Sequence, residues 1–230
     1  MSHDYLVLAL LFLLPGAVFW FLRPDLRGLM GRTALAALPF ATTEWLFYPE
    51  YWAPKFLFNL ADRIGFGIED VLLIIGLAAF SSSAYAVAFR RTVVSLESAG
   101  KPWRRAVGAV ALVLAVAALL LAVGVSILYA SVGAMLTVTL LMLVARPDLR
   151  GPAPLGALVT TAIYFGLCLL FEALVPGPTV DSIWRPSLLL RGRLLGVPLD
   201  ELLYGFGSGF AATVIPPWAF GLRFVPLVRG

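Results

Sequence analysis

The sequence predicts an all-α protein that crosses a membrane several times. Of its 230 residues, 61% are hydrophobic and 13% are charged, and the mean hydropathy is +0.95. A soluble domain carries about a quarter charged residues, so this composition is typical of a chain that lies in a bilayer. Seven apolar windows and one hexapeptide that occurs twice further predict seven transmembrane helices in two similar halves.

The seven windows approach the roughly 20 residues that a transmembrane helix requires. They are residues 5–22, 29–48, 67–89, 106–123, 126–145, 155–175 and 197–222. We expect the first window to remain as a span, because Asp4 and no basic residue precedes it, unlike a cleaved signal peptide. With alternating spans, twelve of the 17 lysines and arginines fall on one side. Because basic residues favour the cytoplasm, we expect a multi-pass cell-membrane protein with its N-terminus outside and its C-terminus in the cytoplasm.

The composition argues against several classes of protein. The single cysteine, Cys168, excludes a disulfide framework, and the single histidine, His3, disfavours a histidine metal site. The basic residues lie in short clusters between apolar windows, a pattern that sets membrane orientation rather than nucleic acid binding. The two lysines, Lys55 and Lys101, fall in connections, which disfavours a retinal Schiff base. We therefore expect no metal, no cofactor and no nucleic acid partner.

A hexapeptide marks an internal repeat. Residues 23–28 and 146–151 share the sequence RPDLRG, and each copy directly follows an apolar window. The motif by itself is typical of a helix-ending turn whose arginines hold orientation. As an alignment mark, it predicts a three-helix unit in residues 1–92, a connection and linking helix in 93–125, and a second unit in 126–230. The extra helix gives both units the same direction, so the repeats are parallel (3+1+3).

Six acidic residues lie inside or at the ends of apolar windows, all toward the predicted outer side. They are Glu44, Glu69, Asp70, Glu172, Asp200 and Glu201. An acid at bilayer depth costs a few kcal/mol unless it faces a cavity or a partner, so a functional role is the first hypothesis. Stabilisation of a helix N-terminus is the alternative for the two adjacent pairs, and we expect one acid of each pair to face the interior. Glu44 and Glu172 lie late in their helices, where that alternative fails.

A carboxyl group among apolar side chains can stay protonated at neutral pH and act as an acid in a dry site. Aromatic side chains near these acids would suit a carbocation, because aromatic faces attract cations. We predict that the following aromatic residues bind substrate: Trp45, Tyr48, Trp52, Phe66, Trp184, Tyr204 and Phe206. The alternative is an aromatic belt at the membrane interface, which accounts for roughly half of the aromatic residues near the acids.

The tandem units resemble the small integral-membrane lycopene cyclases of carotenoid synthesis. The matching stretches are residues 43–52 (TEWLFYPEYW) and 67–73 (GIEDVLL) in the first unit, and residues 171–172 (FE) and 197–203 (VPLDELL) in the second. The family motif is a proline, any residue and two acids. The second unit fits this motif from Pro198 to Glu201, whereas Gly67 replaces the proline in the first.

The resemblance implies a lycopene β-cyclase, which forms β-ionone rings at the open ends of lycopene by acid–base catalysis without net redox change. It implies Glu69 or Asp70 with Asp200 or Glu201 as the proton-transfer groups, and Glu44 and Glu172 as their partners. It also implies a linear carotenoid substrate, the lipid bilayer as the environment, and association with other carotenoid enzymes.

Other functions remain open at this stage. A small proton-coupled transporter with parallel repeats would also use membrane acids. A sugar carrier is disfavoured, because Asn59 is the only asparagine and glutamine is absent. A non-catalytic carotenoid-binding or lipid-binding scaffold, and a related membrane cyclase or hydratase acting on another polyene or terpene, are further alternatives.

Overall fold

The computed structural model describes residues 4–96, 100–175, 190 and 192–227. The first half begins with α1 (Asp4–Leu22), a 3-10 turn (Pro24–Leu26) and α2 (Arg27–Ala37), which continues as a 3-10 helix (Leu38–Leu46). A second 3-10 turn (Leu57–Asn59) and the short α3 (Leu60–Ile64) lead into α4 (Ile68–Ala88) and β1 (Arg91–Ser95).

The second half follows the same order after one additional helix. The elements are α5 (Pro102–Ala122), α6 (Ile127–Ala145), a 3-10 turn (Pro147–Leu149), α7 (Pro152–Leu174), β2 (Arg193–Leu194), β3 (Val197–Pro198), α8 (Leu199–Phe220) and β4 (Leu222–Pro226). Helices dominate, as predicted. The short strands were not predicted, and they form two antiparallel two-stranded sheets, β1 with β4 and β2 with β3.

Within the described ranges, five helical segments are long and apolar enough to cross a membrane. They are α1, α4, α5, α6 and the segment Pro147–Leu174. The predicted window 29–48 is not one α-helix, because the α-helical part ends at Ala37 and the chain continues as a 3-10 helix with Pro39 in its first turn. Proline lacks the amide hydrogen that the next α-helical hydrogen bond would need. The last window corresponds to α8, whose interior contains Pro216 and Pro217.

The two copies of the hexapeptide adopt the same structure. Arg23 forms a two-point ion pair with Asp25, with N–O distances of 2.9 and 2.7 Å, and Arg146 pairs in the same way with Asp148 at 2.8 and 2.8 Å. Through its hydrogen bonds, the Arg23 guanidinium lowers the pKa of the Asp25 carboxyl below its ordinary value. The repeat in the sequence is therefore also a repeat of local geometry.

Each of these arginines also binds the last turn of a long helix of its own half, α4 or α8, and the strand that follows this helix. Arg23 donates to the carbonyl oxygens of Ala86 and Arg91, and Arg146 donates to those of Pro217 and Leu222. Arg91 belongs to β1 and Leu222 belongs to β4. Because these two strands pair with each other, both turns lie at one end of the bundle. We call this the arginine end, and the opposite end, where α4 and α8 begin, the acid end.

Glycines allow close packing within each half. A Cβ atom on Gly76 of α4 would lie 2.6 Å from the carbonyl carbon of Phe12 in α1. In the second half, a Cβ atom on Gly209 of α8 would lie 2.5 Å from Cβ of Thr160 in α7. Small residues let helix backbones approach in membranes, so these positions fix how α4 and α8 pack on their neighbours.

We expect Gly76→Ala to destabilise the protein by about 1–3 kcal/mol, because the added methyl group overpacks the contact between α1 and α4. The measurement is the thermal unfolding midpoint in detergent. Gly108→Ala in α5 is the matched control, since no heavy atom lies within 4 Å of its added Cβ. Equal midpoints for the two variants would contradict the packing argument.

Candidate functional site

A cavity of about 80 Å³ lies at the acid end, between the two halves. Three acidic side chains line it: Glu44, Asp70 and Glu201. They come from the 3-10 helix after α2, from α4 and from α8, so both halves contribute. All three are buried, with exposed fractions of 8%, 3% and 5%. Most of the other lining residues are apolar or aromatic. We call this the acid cavity.

Glu201 accepts hydrogen bonds from two tyrosines. The hydroxyl of Tyr51 donates to Oε1 at 2.6 Å, and the hydroxyl of Tyr164 donates to Oε2 at 2.5 Å. Gly205, one turn after Glu201, makes room for the Tyr164 ring, because a Cβ there would lie 3.1 Å from that ring. Both carboxyl oxygens of Glu201 therefore accept a hydrogen bond from a tyrosine.

Asp70 is also held from two directions. The hydroxyl of Tyr5 in α1 donates to Oδ1, and the backbone N–H of Gly67 donates to Oδ2 at 2.6 Å. The second bond satisfies the backbone N–H at the start of α4, so capping accounts for one side of this carboxylate. The other side faces the cavity, and Asp70 therefore combines both predicted roles.

Glu44 has a different environment. Its Oε1 accepts a hydrogen bond of 2.5 Å from the indole Nε1 of Trp52. The Trp52 ring in turn packs edge-on against Tyr5, with 4.6 Å between ring centroids. With an indole donor and aromatic neighbours, this carboxyl group suits a protonated acid in an apolar site.

The other member of each acidic pair lies outside the cavity. Glu69 accepts a hydrogen bond of 2.6 Å from the N–H of Leu57, and Asp200 accepts one from Tyr129. Within the part of the chain that the structure describes, their remaining oxygens, Oε2 of Glu69 and Oδ2 of Asp200, are buried without a hydrogen-bond partner. One acid of each pair lines the cavity, since neighbours on a helix point about 100° apart.

Glu172 does not join this group. It lies exposed near the end of α7, where its carboxylate packs over Gly196 between β2 and β3. Its predicted counterpart Glu44 is buried in the cavity. The two glutamates therefore occupy different environments despite their similar places in the repeat.

Some of the aromatic residues predicted to bind substrate line the acid cavity, and others do not. Trp52 and Tyr204 line the acid cavity. Tyr48 donates a hydrogen bond of 3.1 Å to Asp62, and Trp45 is 63% exposed. Phe66 and Phe206 are partly buried outside the cavity. Trp184 lies outside the described residues.

The sequence-based prediction missed the tyrosines that hold the acids. Tyr5 and Tyr129 lie in the first turn of the first helix of each half, and each binds an aspartate that opens the third helix of that half. Their matching positions in the repeat were a signal for this role. Tyr164, which binds Glu201, gave no such signal.

The cavity combines buried carboxyl groups with aromatic faces. Tyr5, Trp52, Tyr164 and Tyr204 all line it, and the Tyr164 ring packs edge-on against Phe12 with centroids 4.8 Å apart. Carboxyl groups can give and take protons, and aromatic faces stabilise cations. The arrangement suits acid–base chemistry on an apolar substrate.

Comparison with known proteins finds one similarity. Residues 126–219, from α6 to nearly the end of α8, match the family described as lycopene cyclase. The match covers less than half of the chain, so it is a similarity of this segment to that family. The apolar helices place the protein in a membrane. Neither the curated proteins nor the solved structures contain a match to the chain. Glu201 of the acid cavity lies within the matched segment.

We expect Tyr164→Phe to lower the rate of proton transfer in the acid cavity about tenfold, because Glu201 loses one of its two tyrosine donors. The residue acts by positioning Glu201, so the pH profile of the rate should also move relative to the unmodified protein. Tyr85→Phe is the control, since Tyr85 is equally buried but packs against Phe89 and Phe224 near the arginine end. A Tyr164 variant with an unchanged pH profile would contradict a positioning role.

Proposed function

We propose that this protein is a lycopene β-cyclase that forms β-ionone rings in the acid cavity, and the similarity of residues 126–219 to the lycopene cyclase family supports this proposal. The observation that carries the proposal is the convergence of Glu44, Asp70 and Glu201, from both halves, in one buried and largely aromatic cavity. An enzyme that protonates a hydrocarbon needs a carboxyl group in a dry place and a second one to receive a proton.

The proposed reaction is balanced in protons and needs no oxidant. A carboxylic acid gives its proton to the terminal double bond of lycopene, which leaves a tertiary carbocation. The nearby double bond attacks this cation, so that one carbon–carbon bond closes the ring and the charge moves to a ring carbon. A carboxylate then removes a proton from the adjacent ring carbon, which restores a double bond. The product is an isomer of the substrate.

The hydrogen bonds suggest a division of roles. Glu44 is the proposed acid, because its one side-chain donor is the Trp52 indole and its surroundings are aromatic. Glu201 and Asp70 each accept a hydrogen bond on both carboxyl oxygens, and they are the proposed proton acceptors. The faces of Trp52, Tyr164 and Tyr204 would stabilise the carbocation between these steps.

For Glu69, Asp200 and Glu172 we propose supporting roles. Glu69 and Asp200 are buried beside the acids of the cavity, each with one oxygen that has no hydrogen-bond partner among the described residues, and can hold or pass a proton. Glu172 was predicted as a partner of the second pair, and at the surface of α7 it can act only from outside the cavity.

We also propose seven spans in a parallel 3+1+3 arrangement, with α5 as the linking helix. The like arginine turns and the like order of elements in the two halves support it. Basic residues gather at the arginine end, so this end faces the cytoplasm and the N-terminus lies outside. A reporter fused to each terminus would test the orientation.

The test of the function is expression in cells that make lycopene, followed by pigment chromatography. We expect monocyclic or bicyclic β-ring carotenes in place of lycopene. Unchanged lycopene beside folded protein in the membrane would contradict the proposal and would favour a carotenoid-binding scaffold or a proton-coupled carrier. A hydroxylated or otherwise cyclised polyene would instead identify a related hydratase or cyclase.

A further inference from the structure

A second cavity adjoins the acid cavity and is larger, with a volume of about 220 Å³. It lies between α2, α4, α5, α6 and α8. We call it the apolar groove, defined by residues along these five helices such as Ala36, Ala78, Ala117, Met135 and Ala212. Among the described residues, those that line it include no acidic, basic or histidine side chain. Its chemistry therefore suits a hydrocarbon.

The groove and the acid cavity share part of their walls. Five residues line both: Phe40, Thr43, Phe47, Ile74 and Tyr204. Along α8, the groove extends from Tyr204 near the acid end to Pro216 toward the arginine end, which is twelve steps from residue to residue. At 1.5 Å per residue, this corresponds to about 18 Å along the helix axes.

The sizes of the two spaces assign different parts of a substrate to them. The acid cavity, at about 80 Å³, is too small for a long linear carotenoid and suits one end of it. The rest of the chain needs a space without charges, and the apolar groove shares five lining residues with the acid cavity. A phospholipid acyl chain is also apolar, but its saturated end would gain no favourable interaction from lying among three acids.

We propose that the apolar groove binds the polyene chain of a linear carotenoid while one end of the same molecule lies in the acid cavity. This inference rests on the proposed function, since it gives that substrate its place. It also assigns a task to α5, which the repeat explains only as a linker. One side of α5 lines the groove with Val113, Ala117 and Leu121, and the other side, with Ala115, is exposed.

The test fills the groove and measures binding without turnover. Ala117→Phe on α5 and Ala212→Phe on α8 each add a large side chain to the lining of the groove, from two different helices. Ala115→Phe is the matched control, because it makes the same substitution on the exposed side of α5. Each is combined with Glu201→Gln so that lycopene is retained unchanged. The proteins are purified from lycopene-making cells, and lycopene per folded protein is measured by absorbance.

We expect both groove variants to retain about tenfold less lycopene per folded protein than the control does. Groove variants that fold and retain lycopene at the control level would overturn the proposal. Loss of co-purified phospholipid with unchanged lycopene would also overturn it and would assign the groove to lipid. Ala117→Leu and Ala212→Leu are measured in parallel and decide the question if the phenylalanine variants do not fold.

This experiment separates the inference from the proposed function. Binding is measured in the Glu201→Gln background, whereas cyclisation is measured with the unmodified glutamate. If the unmodified protein forms rings and filling the groove changes neither binding nor rate, the groove proposal fails and the function stands. If lycopene binding depends on the groove but no rings form, the cyclase proposal fails and the groove assignment stands.

Discussion

Replacing Glu201 by Gln is expected to lower ring formation at least about 100-fold, which is the usual contribution of general acid–base catalysis. Gln has nearly the same shape and keeps an oxygen that can accept from Tyr51 or Tyr164, so the protein should still fold. It cannot receive a proton as a carboxylate does. The measurement is cyclic carotene formed per milligram of folded protein in membranes supplied with lycopene.

Glu50→Gln is the matched control for this variant. Glu50 is exposed in the connection that follows the 3-10 helix after α2, and it lies outside the acid cavity. It should retain the full rate. A Glu201→Gln protein that forms rings at the control rate would remove Glu201 from the proposed chemistry.

The second large effect is expected for Glu44→Gln when it is compared with Glu172→Gln. The two glutamates hold corresponding places in the repeat, but Glu44 lines the acid cavity and Glu172 lies at the surface. We expect the Glu44 variant to lose at least about 100-fold in rate, because the proposed proton donor is gone. The Glu172 variant should stay within a few-fold of the unmodified protein.

The comparison is sensitive to the alternative that both halves act equally. If the two halves contributed equivalent acids, the two variants would lose activity to the same extent. The rates are measured in the same membranes, and the thermal midpoint of each purified variant shows that it is folded. An active Glu44→Gln protein would require another proton donor.

Much of the helix layout could be predicted from the sequence, because length and apolarity identify a membrane-length helix. The window 126–145 corresponds to α6 (Ile127–Ala145), and 5–22 to α1 (Asp4–Leu22). The window 29–48 was harder, since apolarity alone does not separate an α-helix from the 3-10 helix that begins at Leu38. The pairing of β1 with β4 was not predicted, because both strands are short and far apart in the sequence.

The site was predicted in part. The sequence identified the acidic pairs and the expectation that one acid of each faces inward. Which acid does so depends on the rotation of α4 and α8 about their axes, and packing at glycines such as Gly76 and Gly209 sets that rotation. The tyrosine contacts join residues far apart along the chain, as between Tyr51 and Glu201, and sequence periodicity does not reveal such contacts.

The central claim is that carboxyl groups of the acid cavity protonate the hydrocarbon, and the mass of the product formed in D₂O tests it most directly. Membranes with enzyme in excess are equilibrated in D₂O before lycopene is added, so that the proton-donating carboxyl group carries deuterium when the first turnover begins. The account predicts one deuterium in every new ring, bound to the carbon that was the CH of the terminal double bond. Rings that contain no deuterium would contradict it.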